Sequence, residues 1–237
     1  MVLEAVDCCF IFCNRRVNSH DWQSNQSHNT KLLMRKPGYE EPGVFITGGL
    51  QMLQTLLVSG YKAHELGIFS DNHEGVYYIK KALEQRITSL IDEGLEWVLI
   101  SGQPGVEMWT AEVIFDLQLE YPNLKLAVLT PFLEQETRWK ENVQEKYQEI
   151  LLNADFVDSV SRKPYESPQQ LRVKNQFLVQ KSDAILLLYD EEKDGSPKYY
   201  LDAAKQKQEM DNSYEIFYIT AYDLDVLVQD EQWNRNE

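Results

Sequence analysis

Beyond Met52 the chain alternates short apolar runs with longer amphipathic segments, and this alternation limits it to very few folds. The runs are Gln54–Ser59, Trp97–Ser101, Lys125–Thr130, Asp155–Ser159, Ala184–Tyr189 and Ile216–Thr220. They are short and rich in β-branched and aliphatic residues, as strands buried in a parallel sheet must be. Between them lie segments with helical periodicity, roughly Gly75–Glu93, Val106–Tyr121, Glu134–Asn153, Ser167–Lys181 and Pro197–Met210, with a short helix expected after Tyr222. In the first, Ile79, Leu83, Ile87, Leu90 and Ile91 fall on one face and Lys80, Lys81, Glu84 and Arg86 on the other, the spacing of a half-buried helix. Gly94 follows as a stop, and Ser167-Pro168 and Ser196-Pro197 read as helix starts. The pattern predicts an α/β, doubly wound, mainly parallel sheet of five to six strands with helices on both faces, a Rossmann-like single domain over residues 52–237.

Residues 1–51 do not share the pattern. They carry five basic and five acidic residues, all three cysteines (Cys8, Cys9, Cys13) and two of the four histidines (His20, His28), with no sustained periodicity. The spacing of these cysteines and histidines is not that of a zinc site, and no metal is expected. We read this stretch as a poorly structured leader. Gly48-Gly49-Leu50-Gln51-Met52 also back-translates into a purine-rich stretch just before an ATG, as a bacterial ribosome-binding site would, so initiation at Met52 is the expectation.

The charge balance narrows the partners. Lysine and arginine number 23 against 38 aspartate and glutamate, a net −15 that lies entirely beyond Gln51. Such a surface repels nucleic acid and anionic lipid. No apolar run is long enough to span a bilayer and the start lacks a basic signal region, so a cytoplasmic protein with no membrane and no nucleic-acid partner is expected.

In an open parallel sheet, ligands collect in the loops that follow the strands. The loop Ser101-Gly102-Gln103-Pro104-Gly105-Val106-Glu107 is the most informative. Its two glycines allow positive φ and close approach of backbone to a ligand, yet it is neither the dinucleotide G-x-G-x-x-G nor a P-loop. Glu107 falls in a first helical turn, where the helix dipole favours a carboxylate; beside a nucleotide it would accept from ribose hydroxyls or act as acid/base. Backbone amides at Gly102–Gly105 would hold the phosphate, and Trp109 would pack or stack. The loop after the first strand brings Gly60, Tyr61, Lys62 and Glu65, with Tyr61 a candidate base-stacking ring and Lys62 a candidate phosphate counter-charge. Gly195 and Ser196 open another helix N-terminus. His64 has no nucleophile beside it, and Arg162 and Lys163, with Tyr165 following, read first as a solvated basic pair.

In order and along nearly the whole domain, VSGYKAHELGIF, DEGLEWVLISGQPGVEMWTAE, RKPYESPQQL, KNQFLVQKSDAILLLYD and GSPKYYLDAA resemble the YpsA-like family of the SLOG superfamily, a group of Rossmann-like domains. The resemblance begins at Met52. It implies a nucleotide-derived ligand, carried here by Gly102, Gly105 and Glu107, and an association with cell division or envelope control in Gram-positive bacteria. The chain lacks the P-G-G-x-G-T-x-x-E motif of the superfamily's phosphoribohydrolases and has one residue fewer between its glycines than the S-G-x-x-x-G-x-D of its DNA-uptake proteins.

The expectation is therefore a domain that binds a nucleotide or nucleotide-sugar (ADP-ribose-like) ligand for sensing or regulation, without a resident cofactor. Two alternatives stand beside it: a nucleotide N-glycoside hydrolase with Glu107 or Glu112 as acid/base, and a protein-interaction module without ligand. A homodimer is the default assembly, and any protein partner is unidentified. The intact mass of protein expressed from its native gene region should correspond to a chain starting at Met52; a mass for residues 1–237 would refute the late start.

Overall fold

A computed structural model describes residues 53–235; the leader, its Cys8, Cys9 and Cys13 cluster and the proposed start at Met52 lie outside them. Six strands form one all-parallel sheet: β1 (Thr55–Gly60), β2 (Trp97–Ile100), β3 (Lys125–Thr130), β4 (Phe156–Ser159), β5 (Ala184–Leu188) and β6 (Glu215–Ile219). Six α-helices connect or follow them: α1 (Glu74–Asp92), α2 (Val106–Leu117), α3 (Glu141–Asn153), α4 (Gln169–Lys181), α5 (Lys198–Met210) and α6 (Ala221–Asn234). The doubly wound Rossmann-like expectation holds, and every strand lies within one residue of its sequence-based bounds.

The strand order is β4-β3-β2-β1-β5-β6. The chain steps outward from β1 to β4, then returns to lay β5 against the other side of β1, with Leu57 opposite Ile185 and Gly60 opposite Leu188. The winding direction thus reverses between β1 and β5, where the loops leaving the two strands diverge and a crevice opens at their carboxyl ends.

Alternation along the strands divides the core in two. Leu56, Val58, Val98, Ile100, Leu126, Val128, Leu186 and Leu188 join one apolar cluster with α1, α2, α3 and Leu227 of α6. The intervening Leu57, Leu99, Ala127, Ile185 and Leu187 are equally buried and point, by the two-residue period, to the face where α4 packs on α5. Central strands β1 and β5 are apolar on both faces, whereas edge strands β4 and β6 are partly exposed. That exposure explains why Asp155–Ser159 is the least apolar of the runs.

Four differences from expectation stand out, the first being that α2 ends at Leu117, four residues short of Tyr121. The helix expected from Glu134 starts seven residues later, at Glu141, because Glu134 takes a left-handed backbone (φ 58°) and the chain turns there to send Gln135 inward. The short helix after Tyr222 is a full one of 14 residues. A single 3-10 turn, Ala63–Leu66, lies directly after β1, where only a loop was expected.

Leu186, fully buried at the centre of β5, should be among the costliest residues to truncate. Urea unfolding of Leu186→Ala is expected to show a loss of about 2–5 kcal/mol, since deletion leaves a cavity the sheet cannot close.

Candidate functional site

The site is built where the carboxyl ends of β1 and β2 meet the start of α2. The β2–α2 turn uses its glycines as the sequence requires: Gly102 has φ 75° and Gly105 φ 107°, a region costly for residues with a Cβ. Space is as restrictive as conformation. A Cβ on Gly105 would lie 2.5 Å from the Ala63 amide nitrogen and 2.6 Å from the Tyr61 carbonyl oxygen, and one on Gly60 would lie 2.8 Å from the Val106 side chain. The two loops therefore touch backbone to backbone, and the Val106 amide donates to the Tyr61 carbonyl at 3.2 Å.

Glu107 holds this arrangement from below. Its side chain is buried and its two oxygens take four hydrogen bonds: Oε1 from Ser59 Oγ (2.7 Å), and Oε2 from the Ser101 amide (2.8 Å), Ser101 Oγ (2.7 Å) and the Gln103 amide (3.1 Å). All four donors are the protein's own groups. The sequence reading has this carboxylate meet a ribose or act as acid/base; in the structure the helix dipole favours a carboxylate in this first turn, and the turn folds over it. Glu112, the other candidate acid, sits farther along α2 in an ion pair with Lys80 and near Lys146.

The network continues into residues that the sequence reading missed. Lys174, buried in α4, donates from Nζ to Ser101 Oγ (3.2 Å) and to the Tyr200 hydroxyl (2.7 Å) on α5, with its ammonium 4.3 Å from the Tyr200 ring centroid. Burial lowers its pKa to about 8, against the opposing pull of the Glu107 carboxylate; the nearby Lys62 charge lowers it further. Burial first, then Glu107, raises the Tyr200 phenol well above its ordinary value. The available sequence signal was a lysine in phase with Leu178, four residues on, along the buried stripe of α4.

Other predicted site residues bind one another. Tyr61 is only 2% exposed; its hydroxyl donates to the carbonyls of Asp190 (3.0 Å) and Lys193 (2.8 Å), and its ring stacks on Tyr189 with centroids 6.3 Å apart. It is a pillar under the β5–α5 loop, not a platform for a base. Gly195 is glycine because a Cβ would lie 2.4 Å from the Tyr61 ring. Glu65 accepts from the Ser196 amide (2.9 Å), Ser196 Oγ (2.7 Å) and the Lys62 amide (2.7 Å). Burial would raise its pKa, but these hydrogen bonds together with the Lys62 charge outweigh it and hold the carboxyl below its ordinary value. The N-terminus of α5, expected at Gly195 and Ser196 to receive a ligand anion, thus already holds a protein carboxylate. Trp109 is a core side chain, the packing role rather than the stacking one.

Gly102 and Gly105 are themselves buried, and the half-exposed part of the β2–α2 turn is Gln103-Pro104. Among the described residues no acceptor takes the amides of Gly102 or Gly105. Gln103 and Lys62 flank the turn half-exposed. Gln103 Nε2 donates to Gln135 Oε1 (2.6 Å), and Gln135 Nε2 donates to the Ser101 carbonyl and the Tyr147 hydroxyl, both at 2.9 Å. Tyr147 in turn lines a cleft of about 430 Å³ at the ends of β3 and β4, with Phe132, Leu133, Ser159, Arg162 and the carboxylates of Glu134, Glu136 and Asp158 around it, Asp158 pairing with Arg162 at 3.7 Å. Gly102 reaches this wall closely, since a Cβ there would meet Tyr147 at 2.8 Å. Lys163 pairs with Glu166 (3.4 Å) and His64 is exposed, both outside this network. Among the described residues no cluster of His, Cys, Asp and Glu could hold a metal, and no helix is long and apolar enough to cross a membrane.

The YpsA family model, described as the YspA SLOG family, matches residues 56–224. The chain belongs to the YpsA family. A UPF0398 protein of Bacillus cereus (strain AH820) is 56% identical over 185 residues, covering 78% of this chain and 100% of the relative. Another, of Halalkalibacterium halodurans, is 57% identical over 182 residues, covering 77% and 96%. Among solved structures, DNA processing protein A of Helicobacter pylori, described by its single-stranded DNA binding mode, superposes with a TM-score of 0.44 at 15% identity, over 76% of this chain and 83% of that one.

The YpsA-family network makes a pH prediction through Lys174. A lysine whose folded pKa lies near 8, below its ordinary 10.5, binds fewer protons folded than unfolded between those values, so stability rises with pH across that window. Above pH 10 the buried Tyr147, Tyr200 and Tyr214, all raised, reverse the trend, because the unfolded chain then loses protons that the fold retains. Urea unfolding between pH 8 and 10 should show stability climbing in the native protein and flat in Lys174→Met.

Proposed function

We propose that this YpsA-family domain binds a small nucleotide-derived ligand, with phosphate on the Gly102–Gly105 turn and the remainder of the molecule in the cleft bounded by Phe132, Tyr147 and Arg162. The observation that carries the reading is the pair of left-handed glycines whose amides have no acceptor among the described residues, at a turn otherwise immobilised by Glu107. Uncommitted amides in a rigid turn that opens a helix are an anion site by composition. Lys62 supplies a nearby positive charge, and its field reaches the buried Lys174. The cleft volume of about 430 Å³ suits a small molecule, since such sites run from about 300 to 1,000 Å³.

The mode of binding differs from the sequence expectation in its division of labour. Glu107 shapes the turn instead of contacting sugar, and the Gly60–Phe69 and Asp190–Pro197 loops are tied to each other through Tyr61 and Glu65. Hydrolysis of an N-glycosidic bond by Glu107 loses support because a general acid or base must reach the proton it transfers, and this carboxylate is 3% exposed. We therefore read the domain as a sensor or regulator, with the cell-division association implied by its family as the setting. The net charge of −15 favours a small anion over a nucleic-acid strand, because a polyanion would meet repulsion far from the turn.

Calorimetric titration with a panel of nucleoside mono- and diphosphates and ADP-ribose tests this. One of them should bind saturably, and Gln103→Ala and Arg162→Ala should each weaken it about tenfold, the equivalent of about 1.4 kcal/mol. Gly105→Ala is a poor probe, because its Cβ would collide with the β1 loop. If no member of the panel binds or raises the unfolding temperature, the reading fails.

A further inference from the structure

A second cleft, of about 340 Å³, lies at the carboxyl ends of β5 and β6, on the opposite side of the Tyr61 pillar from the glycine turn. Its walls are the phenol rings of Tyr189, Tyr218 and Tyr222 and the side chains of Asp190, Glu191 and Thr220, with no basic residue in the lining. Aromatic faces carry negative charge density, and two carboxylates reinforce it. Among the described residues neither carboxylate forms an ion pair; Asp190 Oδ1 only accepts from the Glu192 amide at 3.0 Å. The Tyr218 phenol reports the resulting field, raised by burial first, then by Glu191 and Tyr189.

The backbone that carries these walls is held by the fold. Leu188 pairs with Ile219, and the Tyr189 amide donates to the Ile219 carbonyl at 3.1 Å. Behind Tyr189 stands the Tyr61 ring, whose hydroxyl holds the Asp190 carbonyl. Tyr222 is carried on the first turn of α6, locked by reciprocal hydrogen bonds between Thr220 and Asp223. Those bonds also place the Asp223 carboxylate on the helix N-terminus, which disfavours an anion there.

We propose that this cleft binds an organic cation, an alkylated ammonium or guanidinium head seated against Tyr189, Tyr218 and Tyr222 and facing Asp190 and Glu191. Aromatic walls surrounding a weakly hydrated cation are the arrangement that recognises quaternary ammonium groups, and carboxylates at the rim set the sign of the charge admitted. The proposal is independent of the nucleotide reading, whose turn and cleft lie on β2, β3 and β4.

The full chain is titrated with choline, with its uncharged isostere 3,3-dimethylbutan-1-ol and with arginine amide, followed by calorimetry and by the tyrosine ring resonances. Choline or arginine amide should bind saturably, the stronger of the two identifying the head group, with the isostere at least about tenfold weaker. Tyr222→Ala and Glu191→Gln should each weaken the cation about three- to tenfold. Both side chains are exposed, so the fold survives either change and an unfolding scan verifies it. Equal binding of the isostere, preferential binding of an uncharged nucleoside in this cleft, indifference to both substitutions, or no saturation by either cation would overturn the proposal.

Discussion

The carboxylate of Glu107 organises the carboxyl edge of this sheet. Buried and bound by four donors from Ser59, Ser101 and Gln103, it joins the end of β1, the end of β2 and the first turn of α2 at one point. Through Ser101 it reaches the Lys174 ammonium on α4, and through Lys174 the Tyr200 hydroxyl on α5. A buried anion and a buried cation are each expensive to desolvate, and they are tolerable together because hydrogen bonds on the intervening hydroxyls satisfy both. The consequence is a turn that can hold Gly102 and Gly105 at positive φ and leave their buried amides without an acceptor among the described residues.

The same economy recurs at the β1–β5 reversal. Glu65 occupies the N-terminus of α5 and Tyr61 pins the β5–α5 loop, so the crevice that topology opens is partly closed by the protein's own groups. Ligand space is displaced to either side of this closure, toward β3 and β4 on one flank and β5 and β6 on the other. The flanks differ in chemistry. The first sets Arg162 among Glu134, Glu136 and its ion-pair partner Asp158, whereas the second combines tyrosine rings with carboxylates that form no ion pair among the described residues and has no basic residue in its lining.

Much of the fold was legible in the sequence because strands buried on both faces are continuous apolar runs, and a run such as AILLLY (Ala184–Tyr189) has few other uses at that length. The boundary at Glu134 was not legible. Glu134–Asn153 is amphipathic throughout, and only the inward turn of Gln135 onto Ser101, Gln103 and Tyr147 shows why its first seven residues are not helical. The candidate site was legible in its glycines and in the positions of its loops, but the roles of its side chains were not. Tyr61, Glu65, Glu107 and Ser196 read as ligand contacts because polar residues after strands usually face solvent, and here their partners are other loops.

The sequence by itself determined the layer architecture, the edge of the sheet that would carry chemistry, and the two positions where only glycine fits the turn. Those are local properties, set by side-chain periodicity and by the backbone conformations a residue can reach. Tertiary structure alone decided that Glu107 faces inward, that Ser59 meets it across 48 residues of chain and that Lys174 meets Ser101 across 73. A polar group's partner is chosen by strand order, and no local pattern records which loops the return from β4 to β5 will bring face to face.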